Sequence, residues 1–161
     1  MIILMENYQL TQFALFNSFT DHQLFQLKKV MEFCSLPADM VLFEQGSLAE
    51  HLYILLDGEV AIYYKPYDGP PLVIAKILPG HVFGWSAALK RKGYSSSAKT
   101  VRDSAAFRIK KSSFSSLCDL CPDAGTLFLN HLASAISERI ENSHLEMLLL
   151  LRNGMNTNSE G

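Results

Sequence analysis

The chain has 161 residues, of which 48% are hydrophobic and 19% charged, and its formal net charge is −2. This length and composition fit one globular domain with a buried core. The slightly acidic balance excludes a general electrostatic attraction to nucleic acid or to acidic membranes. The sequence has neither a spanning apolar stretch nor a basic signal-type N-terminus, and its three cysteines do not form an even disulfide set. We therefore expect a cytoplasmic protein with no membrane and no nucleic-acid partner.

The N-terminal segment is predicted to be helical. Thr20 and Gln23 have the spacing of a capping box, and Leu24, Leu27 and Met31 follow at helical intervals. This pattern predicts a helix that ends near residue 32. A weaker apolar pattern predicts an earlier helix over residues 8–16.

Residues 33–110 have the pattern of a β-rich body. Short apolar runs alternate with Gly, Pro, Asp and Ser about every ten residues, which is typical of an antiparallel sandwich or barrel with six or seven strands. Asp57-Gly58 lies between two of these runs and predicts a tight hairpin. Residues 67–70 predict a second turn.

The last third of the chain is predicted to be helical over residues 111–152 and flexible over residues 153–161. Pro122 suits the first position of a helix, and apolar residues then recur at intervals of three, four or seven. This stripe predicts a homodimer or a partner-protein contact; alternatively, it folds back over the β-rich body. Its members are Leu129, Leu132, Ile136, Ile140, Met147 and Leu151.

The order of these elements and several separated glycines resemble the cyclic nucleotide-binding domain family. Gly46 and Gly58 fall at the turn glycines of that family, and the stretch KILPGHVFGW is similar to the approach to its phosphate-binding cassette. The resemblance extends over residues 15–140. It implies a mainly β fold with flanking helices: an antiparallel, jelly-roll-like β-roll with N-terminal helices, a short cassette helix and a long C-terminal helix. The whole chain, residues 1–161, would then be one such domain.

The resemblance also implies that a ligand binds at the cassette. In the family a glutamate accepts the ribose hydroxyl, and an arginine and the first amides of the short helix bind the cyclic phosphate. Here Trp85 replaces the glutamate and Tyr94 replaces the arginine. Two lost charge-assisted hydrogen bonds are worth about 3–6 kcal/mol, so we expect poor binding of cyclic AMP and cyclic GMP. The candidate ligand-binding residues are Phe83, Gly84, Trp85, Ser86, Ala87, Ala88, Tyr94 and Ser95.

Several interpretations of this cassette stay open. The aromatic rings of Trp85 and Tyr94 either stack on a base or fill the emptied pocket. The ligand is a cyclic nucleotide or another small anion, or the domain has lost its ligand and mediates protein interaction or dimerisation. Residues 90–92 are basic and are expected to face solvent. Cys118 and Cys121 lack further ligands, and no nucleophile–base set is present, so we expect neither a metal or other cofactor nor an enzyme.

Overall fold

The computed structural model describes residues 10–89 and 91–157, and the side chains at positions 140–147, 150 and 153–157 lie outside the described part. Three helices flank eight strands. The helices are α1 (Asp21–Lys28), α2 (Lys111–Leu120) and α3 (Pro122–Thr157), and 3-10 turns lie at Leu10–Gln12, Ala14–Phe16 and Trp85–Ala87. The strands are β1 (Met31–Leu36), β2 (Val41–Phe43), β3 (His51–Asp57), β4 (Val60–Tyr64), β5 (Leu72–Ile77), β6 (Val82–Phe83), β7 (Ser97–Thr100) and β8 (Ser104–Lys110).

The strands form two four-stranded antiparallel sheets. One sheet has the order β1-β8-β3-β6 and the other has the order β2-β7-β4-β5. Since the N-terminal helix precedes the sheets and two helices follow them, the expected β-roll with flanking helices is confirmed. The described residues form eight strands, whereas the sequence predicted six or seven. One strand was missed because β6 has only two residues and is too short to produce an alternating pattern.

Two apolar cores cover the first sheet on both of its faces. One core packs the helices against the outer face of this sheet and includes Phe16, Leu27 and Phe128. The other fills the space between the two sheets and includes Leu55 and Phe83. Strand β3 belongs to both cores, which explains why its sequence is almost continuously apolar.

The N-terminal helix is shorter than predicted. The capping box of Thr20 and Gln23 is present, but α1 ends at Lys28 and the chain is extended again from Met31. Met31 pairs with Ile109 of β8. Its apolar side chain suits either a helix or a strand, and pairing with β8 decides between them. The earlier predicted helix is represented, within the described residues, by the two 3-10 turns between residues 10 and 16.

Two further predictions about local structure are wrong. Asp57-Gly58 does not close a hairpin, because β3 and β4 belong to different sheets, so this turn carries the chain from one sheet to the other. The second turn, at residues 67–70, does connect the paired strands β4 and β5.

The end of the C-terminal helix is the second wrong prediction. Helix α3 continues to Thr157, so residues 153–157 are helical and not a flexible tail. Residues 158–161 lie outside the described part of the chain.

Candidate functional site

The predicted cassette begins with a left-handed glycine. Gly84 follows β6 with φ 72° and precedes the 3-10 turn Trp85–Ala87. A Cβ atom at this position would lie 3.0 Å from the His51 carbonyl oxygen and 3.2 Å from the Tyr53 ring. Only glycine combines this backbone angle with so close an approach to β3. The chain therefore turns sharply here, and Ser86 is buried beside the sheet.

Tyr94 is fixed in the wall of the site. Its ring stacks on Phe43 with 3.8 Å between the centroids. Its hydroxyl donates a hydrogen bond to the His51 carbonyl at 2.7 Å and accepts one from the His51 amide at 3.0 Å. Burial raises the pKa of the Tyr94 phenol. The Tyr94 side chain is thus a neutral group whose hydrogen bonds are used within the protein.

A cavity of about 340 Å³ lies against the cassette. Its walls come from the second sheet, the cassette and helix α3, and four of the lining side chains are aromatic. This volume is at the lower end of the range of roughly 300–1,000 Å³ that is usual for small-molecule sites. The lining residues are Phe43, Ile62, Ile74, Ala75, Phe83, Gly84, Trp85, Ser86, Tyr94, Ser95, Ser96 and Arg139.

Arg139 of helix α3 is the one charged residue among the described residues that line this cavity. Its guanidinium carbon lies 5.5 Å from the centre of the Trp85 ring, and its Nη1 donates to the Val82 carbonyl at 3.4 Å. Burial lowers the pKa of Arg139 from its usual value. Among the described residues, no carboxylate forms a salt bridge with it.

The structure brings together six of the eight predicted ligand-binding residues. Phe83, Gly84, Trp85, Ser86, Tyr94 and Ser95 all line the cavity. Ala87 and Ala88 instead pack toward the two apolar cores.

The sequence-based prediction missed Arg139. A signal was available, because Arg139 follows Leu132 by seven residues and Ile136 by three, which places a cation on the apolar face of α3. Arg91, closer in sequence to the cassette, has an exposed side chain. Lys92 is also exposed, in agreement with the expected solvent-facing loop, whereas Lys90 lies outside the described residues.

A second cavity of about 230 Å³ separates α3 from the roll on the other side of the Trp85–Arg139 pair. Trp85 and Arg139 line both cavities. Helix α3 is therefore not tightly packed against the roll beside Trp85 and Arg139.

The predicted dimerisation stripe divides into buried and exposed parts. Leu132 is 1% exposed, and Ile136 packs against the helical core. Leu129 and Leu151 are 37% and 60% exposed. The side chains of Ile140 and Met147 lie outside the described residues. The chain itself therefore covers Leu132 and Ile136, whereas Leu129 and Leu151 are exposed.

The family follows from the sequence as well as from this geometry. The family model described as "Cyclic nucleotide-binding domain" matches residues 33–120, which is more than half of the chain. The chain belongs to the cyclic nucleotide-binding domain family.

Two curated regulators are similar to the chain. It is 27% identical over 114 residues to the cyclic AMP receptor protein of Thermus thermophilus, covering 71% of this chain and 51% of that protein. It is 32% identical over 111 residues to the cAMP-activated global transcriptional regulator CRP of Pasteurella multocida, covering 66% of this chain and 50% of that protein. The chain thus spans about half the length of these relatives.

A similar solved structure is a cyclic nucleotide-binding domain from Methylobacillus flagellatus. Its TM-score is 0.78 at 21% identity, and the match covers 86% of this chain and 78% of that domain. At this identity the likeness supports the fold alone.

Other features of the described residues give no sign of a second type of site. No group of three or more His, Cys, Asp or Glu side chains among them could hold a metal ion. Within the same part of the chain, every helix is too short or too polar to span a membrane.

Proposed function

We propose that this chain is a non-catalytic sensor domain that binds a small anionic, nucleotide-like ligand in the cassette cavity and transmits binding through helix α3. The observation that carries the proposal is the cavity of about 340 Å³, which persists although Trp85 and Tyr94 replace the expected polar residues. Its aromatic walls suit a planar base, and its single described cation suits an anion. We infer a cytoplasmic location and no direct contact with nucleic acid or membrane, as the composition predicts.

Binding of ordinary cyclic AMP or cyclic GMP should be weak. The cassette provides no glutamate for the ribose and no arginine for the phosphate, since Tyr94 already bonds to His51. The missing contacts correspond to about two to four orders of magnitude in affinity.

A thermal-shift screen with cyclic mononucleotides and cyclic dinucleotides tests the sensor proposal. A ligand that binds only the folded state raises the melting temperature, and the shift grows with the logarithm of the ligand concentration above its Kd. We expect a shift with at least one of them at millimolar concentration. If the melting temperature is unchanged with all of them, the domain is not a sensor of cyclic nucleotides.

The exposed leucines of α3 favour a second function, namely dimerisation or partner-protein binding. Leu148, Leu149 and Leu151 are each 50–60% exposed near the end of a 36-residue helix. Three neighbouring apolar side chains on one helix end are typical of a contact surface.

Sedimentation velocity distinguishes this second function from the first. We expect a homodimer that dissociates when Leu148, Leu149 and Leu151 are all changed to Ser. The matched control is Leu120→Ser, which alters an 87% exposed leucine on α2 and should leave the dimer intact. A wild-type protein that is monomeric at all accessible concentrations excludes self-association.

A further inference from the structure

We propose that Arg139 binds the anionic group of the ligand, so that helix α3 supplies the cation that the cassette lacks. The inference rests on the proposed sensor function and makes it more specific. The ligand carries a negative charge, and Arg139 of α3 binds the group that carries it. It also assigns the coupling between site and helix to one side chain.

Among the described residues, the hydrogen-bonding capacity of Arg139 is largely unused. A guanidinium has five N–H donors in a planar fork. The only hydrogen bond described for this side chain is a long one, 3.4 Å, to the Val82 carbonyl. Its other described contact is the face of the Trp85 ring, which attracts a cation but accepts no strong hydrogen bond. Donors are therefore available for an oxyanion.

The electrostatic environment also favours an anion. The guanidinium is partly buried, and none of the three salt bridges among the described residues involves Arg139. A partly buried charge without a counter-ion is unfavourable, and an incoming anion that forms a bidentate pair relieves this. Burial also lowers the pKa of Arg139, in the direction expected for a cation that lacks a counter-charge.

Other cations near the cassette are less suitable. Lys99 lies 4.0 Å from Asp39, and Arg102 donates to the Gly58 carbonyl. Arg91 is exposed and does not line the cavity. Among the described residues, Arg139 alone brings a positive charge to the cavity.

The ligand class follows from the size and lining of the cavity. A volume of about 340 Å³ is at the lower end of the usual range, so it suits one nucleotide-sized molecule better than a dinucleotide. Aromatic walls suit a planar base, and one guanidinium suits one phosphate. The geometry thus points to a mononucleotide with a single phosphodiester or phosphate group.

The position of Arg139 makes the helix part of the sensor. Its side chain is mounted on α3, whereas Trp85 and Ser86 belong to the roll. A ligand held by both would pull α3 toward the cassette, and the second cavity between α3 and β6 leaves room for that movement. Binding and helix position are then coupled through one contact.

Calorimetric titration with cyclic AMP, cyclic GMP and uncharged adenosine tests this inference. We expect Arg139→Gln to weaken binding of the cyclic nucleotides about ten- to hundredfold and to leave adenosine binding unchanged. Arg139→Lys keeps the charge but loses the fork, and should fall between wild type and Arg139→Gln. The matched control is Arg91→Gln, which removes an equal charge from the exposed loop and should bind like wild type.

Trp85 is the only tryptophan in the chain, so its fluorescence reports on the site directly. Circular dichroism of each variant without ligand confirms that it is folded. If Arg139→Gln is not folded, the comparison of cyclic AMP with adenosine in the wild-type protein decides the matter, because equal affinities for the two contradict the inference.

The possible failures are distinguishable. If wild-type protein binds cyclic nucleotides and Arg139→Gln binds them equally well, Arg139 is not the anion-binding residue, but the sensor function stands. If wild-type protein binds none of the cyclic mononucleotides or dinucleotides, both the sensor function and the role of Arg139 are wrong.

Discussion

Tyr94 stabilises the wall of the cavity. An arginine at this position could offer its charge to a ligand, whereas the Tyr94 hydroxyl is occupied by the backbone of His51. Stacking on Phe43 fixes the ring in addition. The ring and the hydroxyl of Tyr94 thus both make contacts within the fold.

Tyr94→Phe should lower the free energy of unfolding by about 1–2 kcal/mol, because it leaves the partly buried amide and carbonyl of His51 without this partner. Urea denaturation measures the change. Tyr67→Phe is the matched control, since Tyr67 is 98% exposed and should show almost no effect. Equal stabilities for the two variants would mean that the Tyr94 hydroxyl contributes nothing to the fold.

The presence of Trp85 and Tyr94 at the cassette cavity could be predicted from sequence, whereas the position of Arg139 beside them could be predicted only in part. Trp85 and Tyr94 are located by counting from Gly84 within a single loop. Arg139 is 54 residues after Trp85, and its position depends on how α3 lies across the roll. Helical spacing places Arg139 on the apolar face of α3, but it does not specify which surface that face covers.

The junction between β6 and the cassette turn depends on Gly84. A side chain there would combine a left-handed backbone with a Cβ atom 3.0 Å from the His51 carbonyl. The neighbouring atom belongs to the backbone of β3, which cannot move without disturbing the sheet.

Gly84→Ala should therefore destabilise the protein by about 2–3 kcal/mol, which combines the cost of a left-handed alanine with that of the close contact. Gly46→Ala separates these two costs. Gly46 has a similar φ of 87°, but a Cβ atom there would have no neighbour within 4 Å. We expect this control to lose only about 1 kcal/mol in thermal or urea unfolding. If the two variants lose equal stability, crowding at Gly84 has no energetic effect.

The bounds of helices and strands were predictable where a local sequence signal determines them. They were less predictable where pairing with a strand distant in sequence determines them. The capping box fixed the start of α1, and the glycines and prolines separated most of the strands. The end of α1 was misplaced because Met31 fits a helix by spacing and a strand by its pairing with Ile109. Asp57-Gly58 was misread because a turn sequence does not reveal which sheet the next strand joins.

Apolar cores cover both faces of the first sheet, and a tyrosine buried there makes the stability of the whole protein sensitive to alkaline pH. Tyr53 on β3 is 6% exposed and stacks on Phe83 with 5.0 Å between the centroids. Burial raises the pKa of Tyr53 to about 12. In the unfolded chain a tyrosine ionises near pH 10.

Stability should therefore fall between about pH 10 and pH 12, where the unfolded state releases the Tyr53 proton and the folded state keeps it. Tyr53 should contribute about 2 kcal/mol to this loss. Urea denaturation at pH 9 and pH 11 should detect about 1.3 kcal/mol of it, and Tyr53→Phe should lose less stability over the same interval. An identical loss in both proteins would show that Tyr53 ionises normally in the folded state.

The length of α3 gives the contact at Arg139 a mechanical consequence. Eighteen residues separate Arg139 from Thr157 at the end of the helix, which corresponds to about 27 Å of helix axis. A tilt of about 10° about a pivot at Arg139 would move that end by about 5 Å, since displacement grows with distance from the pivot. A ligand that tilted the helix in this way would therefore displace its end far enough to separate two packed side chains.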